Sequence, residues 1–378
     1  MDFEPSDDQR LLVETVTRLL ADTYSFAQRK SYAALPQGHS PEIWSQFAEL
    51  GLLGIPFAEE YGGFGGTAQE IMLVMQQFGR ALVLEPYLQT VVLAGTALNL
   101  AATETQKQTL LPAITAGELK LAFAHGERQA RYDLTDVITT ATRNGPNWIL
   151  DGAKSVVSHG EAADKLIVSA RTAGDRHDAN GLTLFLVDAT APGVARRSYT
   201  SRDDTSAADI ALSNVAVPET AVLGPLHQAL PIIEKIIEAG IAATAAETVG
   251  AMEAMNEMTL EYSKTRVQFG NPIGSYQVIQ HRLADMFMAQ EQGRSMAMLA
   301  TMSIDNQDDA TRGHDIALAK VGIAQAGRAV SQSAVQLHGG IGMTEELAVG
   351  HYFRRCMVIE RLFGDPAYHL AKLAADIA

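Results

Sequence analysis

Apolar residues recur at helical spacing through the first 117 residues of this 378-residue chain. Ser6 followed three residues later by Gln9 is typical of a capping box, and it predicts a helix through LLVETVTRLL. Ser40 and Pro41 predict a further helix start at PEIWSQFAEL, which Gly51 ends. Two later stretches, AQEIMLVMQQFGRALV and YLQTVVLAGTALNLAA, keep the same period. Residues 1–117 are therefore predicted to form a helical domain.

The period changes between about residues 118 and 225. Short runs rich in β-branched residues, such as NWILDGAKSVVS, DKLIVSART and LTLFLVD, are bounded by turn signals such as Asn144-Gly145. Residues 118–225 are therefore predicted to form a β domain, a small barrel or sandwich.

Helical periodicity returns at about residue 226 and lasts to residue 378. Four stretches fit, roughly 226–265, 277–305, 308–337 and 344–377, and Gly339-Gly340 separates the last two. Their long apolar stripes predict a four-helix bundle over residues 226–378, with the alanine-rich AATAAE in its core. The predicted fold class is α+β: an N-terminal helical domain, a middle β-barrel domain and a C-terminal helical bundle.

The composition indicates a globular protein and excludes some partners. Hydrophobic residues make up 47% of the chain, charged residues 19%, and the net charge is −15. Nucleic acids and anionic membranes need a basic surface, so neither is expected as the main partner. The acidic start MDFEPSDDQR predicts no signal peptide, and no apolar run is long enough to predict a membrane span. Cys356 is the single cysteine, which excludes an intrachain disulfide and fits the cytoplasm.

Familiar catalytic and metal-binding motifs are absent from the sequence. It contains no CxxC, HExxH, Walker loop or G-x-S-x-G elbow, so no metal site is expected. Four histidines, His125, His159, His281 and His338, are catalytic candidates by residue type, but isolated histidines are usually structural. Composition and periodicity alone therefore do not define a reaction.

Two stretches carry a family resemblance. YSKTRVQFGNPIGSYQVIQHRLADM (Tyr262 to Met286) and AVQLHGGIGMTEE (Ala334 to Glu346) resemble the acyl-CoA dehydrogenase family, through R-x-x-F-G and a later Q-x-x-G-G-x-G. GIPFAEEYGGFGG resembles the family's N-terminal segment, and the α, β, α order agrees over the whole chain. VQLHGGIGMT, VGHYFRR and LFGD further resemble the small subunit of pimeloyl-CoA dehydrogenase.

The resemblance implies an FAD-dependent α,β-desaturation of an acyl-CoA thioester. In this family a carboxylate takes the α-proton and the β-hydrogen leaves as hydride to flavin N5. The expected partners are an electron-transfer flavoprotein or a similar acceptor, and further subunits in a homo- or hetero-tetramer with a paralogue. The branch resemblance implies a dicarboxylyl-CoA substrate such as pimeloyl-CoA, with a ring-bearing acyl-CoA as the alternative.

Cofactor contacts are carried over residue by residue. Arg266 matches the arginine that reaches the flavin pyrophosphate of the adjacent protomer, a task that suits a forked cation. Phe269 matches the aromatic residue that packs near the adenine, and Gln277 matches a polar contact to the same cofactor. The matches in the segment where the backbone approaches the pyrophosphate are Gln336, Gly339 and Gly340.

The β zone departs from the family pattern. The family usually has a threonine-glutamate-proline run here. Glu127 matches its glutamate, whereas Gly126 and Arg128 stand at the threonine and proline positions. The usual W-I-T-N segment is replaced by Val156, Val157, Ser158 and His159, so the tryptophan that shields the flavin is missing. Ser158 can still offer a hydroxyl to flavin N5.

The catalytic base is also displaced. Gly364 stands where most of the family has its glutamate, and Gly240 stands where a minority has it. Glu238 is expected on another side of its helix, and Glu247 is expected to be a buried structural glutamate. Asp365 is the remaining candidate for the base. Two hypotheses follow: a dehydrogenase that uses Asp365, or a non-catalytic or half-catalytic subunit whose larger paralogue supplies the base.

Overall fold

A computed structural model describes residues 5–375, and its elements follow the predicted order of helices, sheet and helices. In the predicted capping box, the Ser6 hydroxyl accepts the Gln9 N–H and the Gln9 side chain accepts the Ser6 N–H. Ser40 caps its helix by accepting the Ile43 N–H at 3.3 Å. The helices before the sheet are α1 (Asp7–Thr23), α2 (Phe26–Ala33), α3 (Pro41–Glu49), α4 (Ala68–Ala81), α5 (Gly95–Ala101) and α6 (Glu104–Thr115).

The middle of the chain forms one eight-stranded sheet. Its strands are β1 (Leu121–Ala124), β2 (Thr140–Asn144), β3 (Asn147–Ser158), β4 (Lys165–Arg171), β5 (Leu182–Asp188), β6 (Val194–Thr200), β7 (Ser206–Pro218) and β8 (Val222–Leu223). The order is β6-β7-β3-β2-β4-β5-β8, and β1 pairs in parallel with β4. Gly145, at φ +61°, lies in the β2–β3 turn and Asn144 pairs with Asn147, which confirms the predicted turn.

Strand β3 contains a bulge that reverses the direction of its side chains. Lys154 pairs with Ile210 and Val157 pairs with Ala208, so β3 has one residue more than β7 between these pairs. Trp148, Leu150 and Lys154 are buried before the bulge, and Val157 is buried after it. The bulge therefore turns Val156, which has φ +55°, toward the surface.

Long helices form most of the remaining chain. They are α7 (Leu230–Thr265), α8 (Gln277–Ser303), α9 (Asp309–His338), α10 (Ala348–Arg361) and α11 (Pro366–Ala375), with a hairpin of β9 (Val267–Gln268) and β10 (Asn271–Pro272) after α7. Alanines 242, 243, 245 and 246 are buried, as predicted. Glycines let α4 and α7 pack closely: a Cβ on Gly79 would lie 1.9 Å from the Glu247 carbonyl oxygen.

The prediction of one helix over 344–377 is wrong within the described residues; residues 376–377 lie outside them. Helix α10 ends at Arg361 and α11 begins at Pro366. Phe363 (φ +60°) and Gly364 (φ +107°) take left-handed backbone conformations that a right-handed helix cannot contain. Pro366 has no N–H to donate backwards, so it suits the first position of a new helix.

The chain separates into two compact units that do not follow chain order. One unit contains the described residues up to Lys30, Ala68–Val83 and those from Ile241 onward; the other contains Ser31–Thr67 and Leu84–Gly240. Helices α2 and α7 have residues in both units. The predicted fold class is confirmed, whereas the domain boundaries at 117 and 225 stay a prediction. Among residues 5–375, no helix combines the length and apolarity needed to span a membrane.

Candidate active site

Arg266 lies immediately after α7, at the base of the β9–β10 hairpin. Its N–H donates to the Tyr262 carbonyl at 2.8 Å, and its own carbonyl accepts the Ile273 N–H at 2.8 Å. Its side chain is exposed and forms no ion pair with any described residue. The backbone is thus fixed while the guanidinium remains available to a ligand from outside the chain.

Phe269 lies in the turn of the same hairpin and is 92% exposed, at φ +54°. The Tyr276 hydroxyl donates to the Gln268 carbonyl at 3.0 Å and ties the hairpin to the start of α8. Gln277, the first residue of α8, is also exposed. Segment 266–277 therefore presents a cation, an aromatic ring and an amide at the surface of this protomer.

The end of α9 lies beside the end of α7. The Tyr262 and His338 rings stack with centroids 4.5 Å apart, and the Tyr262 hydroxyl is 3.5 Å from the His338 carbonyl. Gly339 ends α9 at φ +66°, and a Cβ on either Gly339 or Gly340 would meet no atom within 4 Å. Gln336 is exposed one turn earlier. The structure therefore brings the two predicted pyrophosphate segments to adjacent helix ends and leaves open space at both glycines.

Several exposed apolar side chains lie close to this region in the chain. Val267, Val278, Phe287 and Met288 are each more than half exposed on the hairpin and α8. Clustered exposed apolar residues are typical of a surface that another protein covers.

A groove of about 710 Å³ lies beside Phe287 in the same unit and contains none of the predicted site residues. Two arginines and a glutamate in its lining are paired: Arg80 and Arg294 each contact Glu253, at 3.0 and 2.9 Å. Arg80 and Arg294 are therefore already paired with a carboxylate of the same chain.

Ser158 and Val156 lie at the end of β3, in the other unit. Ser158 is half-buried, and its hydroxyl makes no hydrogen bond to a described residue. Val156, which the resemblance matches to the family's tryptophan, is exposed by the bulge, and its N–H donates to Asp209 Oδ1 at 3.2 Å. This end of the strand is exposed, and the aromatic side chain beside it is that of Tyr199, whose hydroxyl lies 3.5 Å from the same Asp209 Oδ1.

Glu127 lies inside the same unit in a buried ion pair. Its Oε1 is 2.7 Å from Lys154 Nζ, and its two oxygens accept the N–H groups of Ile138 and Thr139 at 2.9 and 3.1 Å. Burial alone would raise the pKa of Glu127, but Lys154 and the hydrogen-bond donors outweigh it and lower that pKa to about 2. These contacts give Glu127 a structural role, and its contact with the cofactor stays a prediction.

Lys154 is the centre of this network. Its Nζ also donates to the His125 carbonyl at 3.2 Å and to Ser169 Oγ at 3.1 Å. Burial lowers the pKa of Lys154 to about 8, with Glu127 acting in the opposite direction. His125 Nδ1 lies 2.9 Å from Ser169 Oγ, and burial and Lys154 lower the pKa of His125 to about 3. His125 is thus a neutral structural histidine.

A Cβ at Gly364, the residue that the resemblance matches to the family's base, would crowd two neighbouring side chains. A Cβ on Gly364 would lie 2.5 Å from His369 Nε2 and 2.7 Å from Tyr368 Cδ1. Asp365 is half-buried, and its Oδ1 accepts the Tyr368 N–H at 2.9 Å, which caps α11. The Asp365 carboxylate therefore already acts as the N-terminal cap of α11.

Gly364→Ala is expected to destabilise the protein by about 2 kcal/mol, because it adds left-handed strain to a clash. His369→Ala removes part of the clash, so the double variant is expected to lose about 1 kcal/mol less than the sum of the single variants. Urea unfolding measures all three free energies. Gly340→Ala, in open space, is the control and is expected to be near neutral; additive losses would contradict the clash.

The other carboxylates near the family's base positions have structural partners. Both oxygens of Glu247 bind Arg355, at 2.6 and 2.8 Å, as the prediction of a buried structural glutamate required. Glu238 is buried on α7, in the other unit.

Sequence reasoning missed Lys154, Tyr262 and His369. Lys154 lies an even number of residues after Trp148 and Leu150 in β3, so its side chain is on the same buried face. This alternation was a usable signal for a buried lysine. His369 and Tyr262 lie in ordinary helical patterns, so nothing local distinguishes them.

Three family models match the chain: "Acyl-CoA dehydrogenase, N-terminal domain" over residues 6–118, the corresponding middle domain over 122–215, and the C-terminal domain over 230–378. Acyl-CoA dehydrogenase FadE12 of Mycobacterium tuberculosis is 31% identical over 82% of this chain and 81% of its own length. The chain belongs to the acyl-CoA dehydrogenase family. It is therefore an oxidoreductase acting on acyl-CoA, and the family implies a flavin.

Two solved structures related to this acyl-CoA dehydrogenase contain two named components. The Tcur3481-Tcur3483 steroid ACAD has a TM-score of 0.88 and 27% identity, covering 98% of each chain. The ChsE4-ChsE5 complex of M. tuberculosis has a TM-score of 0.88 and 26% identity, covering 100% of this chain and 99% of that one.

The residues of this acyl-CoA dehydrogenase fit an FAD only in part. The uncommitted guanidinium of Arg266, the exposed Phe269 ring and the open space at Gly339 and Gly340 suit a dinucleotide. Valine stands at position 156, which the resemblance matches to the family's tryptophan, and both oxygens of Glu127 are already engaged inside the protein. No group of three or more metal-ligating side chains is assembled anywhere between residues 5 and 375.

Proposed function

We propose that this chain is one subunit of a hetero-oligomeric acyl-CoA dehydrogenase whose paralogous partner supplies the proton-accepting carboxylate. The observation that carries this proposal is Gly364: the position that the resemblance matches to the family's base has no side chain, and its φ of +107° suits glycine rather than glutamate. The two-component relatives support the same assignment.

Arg266, Phe269 and Gln277 are proposed to contact the FAD bound to the partner. The guanidinium neutralises pyrophosphate oxygens, the ring packs near the adenine, and the amide adds a polar contact. Gly339, Gly340 and Gln336 let the backbone approach the same pyrophosphate. When bound, the FAD supplies the two-electron acceptor for the acyl chain. Ser158 offers a hydroxyl to a flavin on this chain's own β domain.

Asp365 as the base is the second candidate, and one observation favours it. Only Oδ1 is engaged, by the Tyr368 N–H, whereas Oδ2 has no hydrogen-bond partner in the described chain. In this version the chain desaturates acyl-CoA by itself, with Asp365 taking the α-proton.

Asp365→Asn separates the two functions, because asparagine caps helices as well as aspartate but cannot accept the proton. Under the proposed function, the variant is expected to fold normally and to leave the activity of the assembled oligomer unchanged within about twofold. Flavin absorbance during acyl-CoA addition measures that activity. Loss of turnover in a folded, flavin-loaded Asn variant would establish Asp365 as the base.

The purified chain alone provides the complementary test. Little flavin absorbance and no turnover alone, with activity restored by adding the paralogue, are the expected results. A yellow, active lone chain would contradict the subunit assignment.

The proposed substrate is a dicarboxylyl-CoA such as pimeloyl-CoA, following the branch resemblance. A ring-bearing acyl-CoA is the alternative, favoured by the likeness to a steroid ACAD and by valine replacing tryptophan at position 156. The proposed assembly is a tetramer with the paralogue, located in the cytoplasm and reoxidised by an electron-transfer flavoprotein or a similar acceptor.

A further inference from the structure

Tyr262 lies in the last turn of α7, where the buried part of that helix stops. Ser263 is buried, but every residue from 264 to 272 is exposed. The Arg266 N–H donates to the Tyr262 carbonyl at 2.8 Å. The backbone of Arg266 is therefore held by Tyr262 at the point where the chain leaves the helical bundle.

The Tyr262 side chain contacts the other predicted pyrophosphate segment. Its ring stacks on the His338 ring with the centroids 4.5 Å apart and the planes at 24°, and its hydroxyl lies 3.5 Å from the His338 carbonyl oxygen. Gly339 and Gly340 follow His338 directly. One residue thus contacts Arg266 through its backbone and the residue before the two glycines through its ring.

His338 is held in one orientation by its own helix. Its side chain is buried, and its Nδ1 lies 2.8 Å from the Ala334 carbonyl oxygen; since a carbonyl only accepts, Nδ1 is the donor. Burial lowers the pKa of His338, so the ring is neutral near pH 7. Tyr262 therefore stacks on a ring that is both uncharged and fixed.

The returning strand of the β9–β10 hairpin also packs on the end of α7. A Cβ on Gly274 would lie 3.0 Å from the Ser263 carbonyl oxygen, so backbone meets backbone there. A binding group that is already ordered loses less conformational entropy when a ligand binds. The position of Tyr262 therefore affects how well Arg266 and Gly339 are ordered before the cofactor arrives.

We propose that Tyr262 is a positioning residue for FAD binding. Through its stack on His338, it holds the Arg266 backbone at a fixed distance from Gly339 and Gly340, so that both segments reach one pyrophosphate. The proposal rests on the proposed function, because that function assigns the pyrophosphate to Arg266 and the two glycines. Tyr262 itself does not touch the FAD.

The FAD affinity of the assembled oligomer, measured by quenching of flavin fluorescence, tests this role. Tyr262→Leu is expected to weaken FAD binding about tenfold, whereas Tyr262→Phe keeps the ring and should stay within about twofold of the unmodified protein. In the Arg266→Ala background, Tyr262→Leu should weaken binding by no more than about twofold, because the contact that it positions is already lost. A general loss of stability would instead weaken binding equally in both backgrounds.

Phe26→Leu is the matched control. Phe26 makes the edge-on ring contact with His351 in the same unit, with centroids 4.7 Å apart, and has no predicted cofactor contact. This variant should leave the FAD affinity unchanged. If Tyr262→Leu does not fold, His338→Leu removes the other ring of the stack and should give the same tenfold loss and the same dependence on Arg266.

Three results would overturn the inference: an unchanged FAD affinity in a folded Tyr262→Leu or His338→Leu oligomer, a tenfold loss that persists in the Arg266→Ala background, or an equal loss in Phe26→Leu. An unchanged FAD affinity in Arg266→Ala alone would instead overturn the proposed contact of this subunit with the cofactor.

Discussion

Replacing Arg266 by alanine is expected to weaken FAD binding to the assembled oligomer about 100-fold. The guanidinium is exposed and has no ion-pair partner in the described chain, so its loss removes little from the fold. Two hydrogen bonds to charged pyrophosphate oxygens contribute about 3 kcal/mol together, which corresponds to that factor. Quenching of flavin fluorescence on titration with the oligomer measures the dissociation constant directly.

Arg266→Lys is expected to recover part of the affinity, because it restores the charge but not the forked geometry. Arg282→Ala is the matched control: Arg282 is also exposed, on α8, but has no predicted cofactor contact. An unchanged FAD affinity in a correctly assembled Arg266→Ala oligomer would remove the basis for the proposed subunit contact.

Lys154→Met is expected to reduce the free energy of unfolding by about 3–5 kcal/mol. Lys154 and Glu127 are both buried, and removing the ammonium leaves the carboxylate without a counter-charge in the protein interior. Denaturant unfolding of the purified chain measures the loss. Replacing both residues, as Lys154→Met with Glu127→Leu, is expected to recover much of the stability, because no unpaired charge then remains.

The matched control is Lys165→Met in β4. Lys165 forms a half-exposed pair with Asp188, 3.7 Å apart, so its loss should change stability by less than about 1 kcal/mol. The pH dependence gives a second signature. The pKa of Glu127 is lowered, so its contribution is complete above about pH 4.5 and is lost as the pH falls toward 2. In Lys154→Met, the free energy of unfolding should fall less steeply between about pH 4.5 and 2 than in the unmodified protein. An equally steep fall in the variant would contradict the pairing.

Local signals in the sequence predicted those parts of the fold that depend on neighbouring residues. The capping residues Ser6 and Ser40 and the Asn144-Gly145 turn act within three or four positions, and all were confirmed. The break between α10 and α11 contains Gly364 and Pro366, which disfavour a continuous helix, although the apolar spacing continues on both sides of them. It results from left-handed conformations at Phe363 and Gly364 beside the His369 side chain, a contact that no periodicity reports.

The residues of the candidate site also differ in how well the sequence predicted their surroundings. The motif containing Arg266 and Phe269 indicated residues that bind something outside the chain, and their exposure fits that prediction. Glu127 belonged to a motif too, yet its partner Lys154 lies 27 residues further along the chain, on β3. The alternation along β3 indicates that Lys154 is buried, but no local pattern identifies the residue with which it pairs.

The exposed Phe269, with Val267, Val278, Phe287 and Met288 near it in the chain, has a consequence for how the protein is made. A newly synthesised chain that has not yet bound a partner exposes these apolar side chains to solvent. Chaperones and proteases recognise exposed apolar surfaces. Under the proposed two-chain assembly, surplus copies would be degraded, and synthesis of the two chains in matched amounts is the expected consequence. Co-translation from neighbouring reading frames is the simplest arrangement that secures this balance.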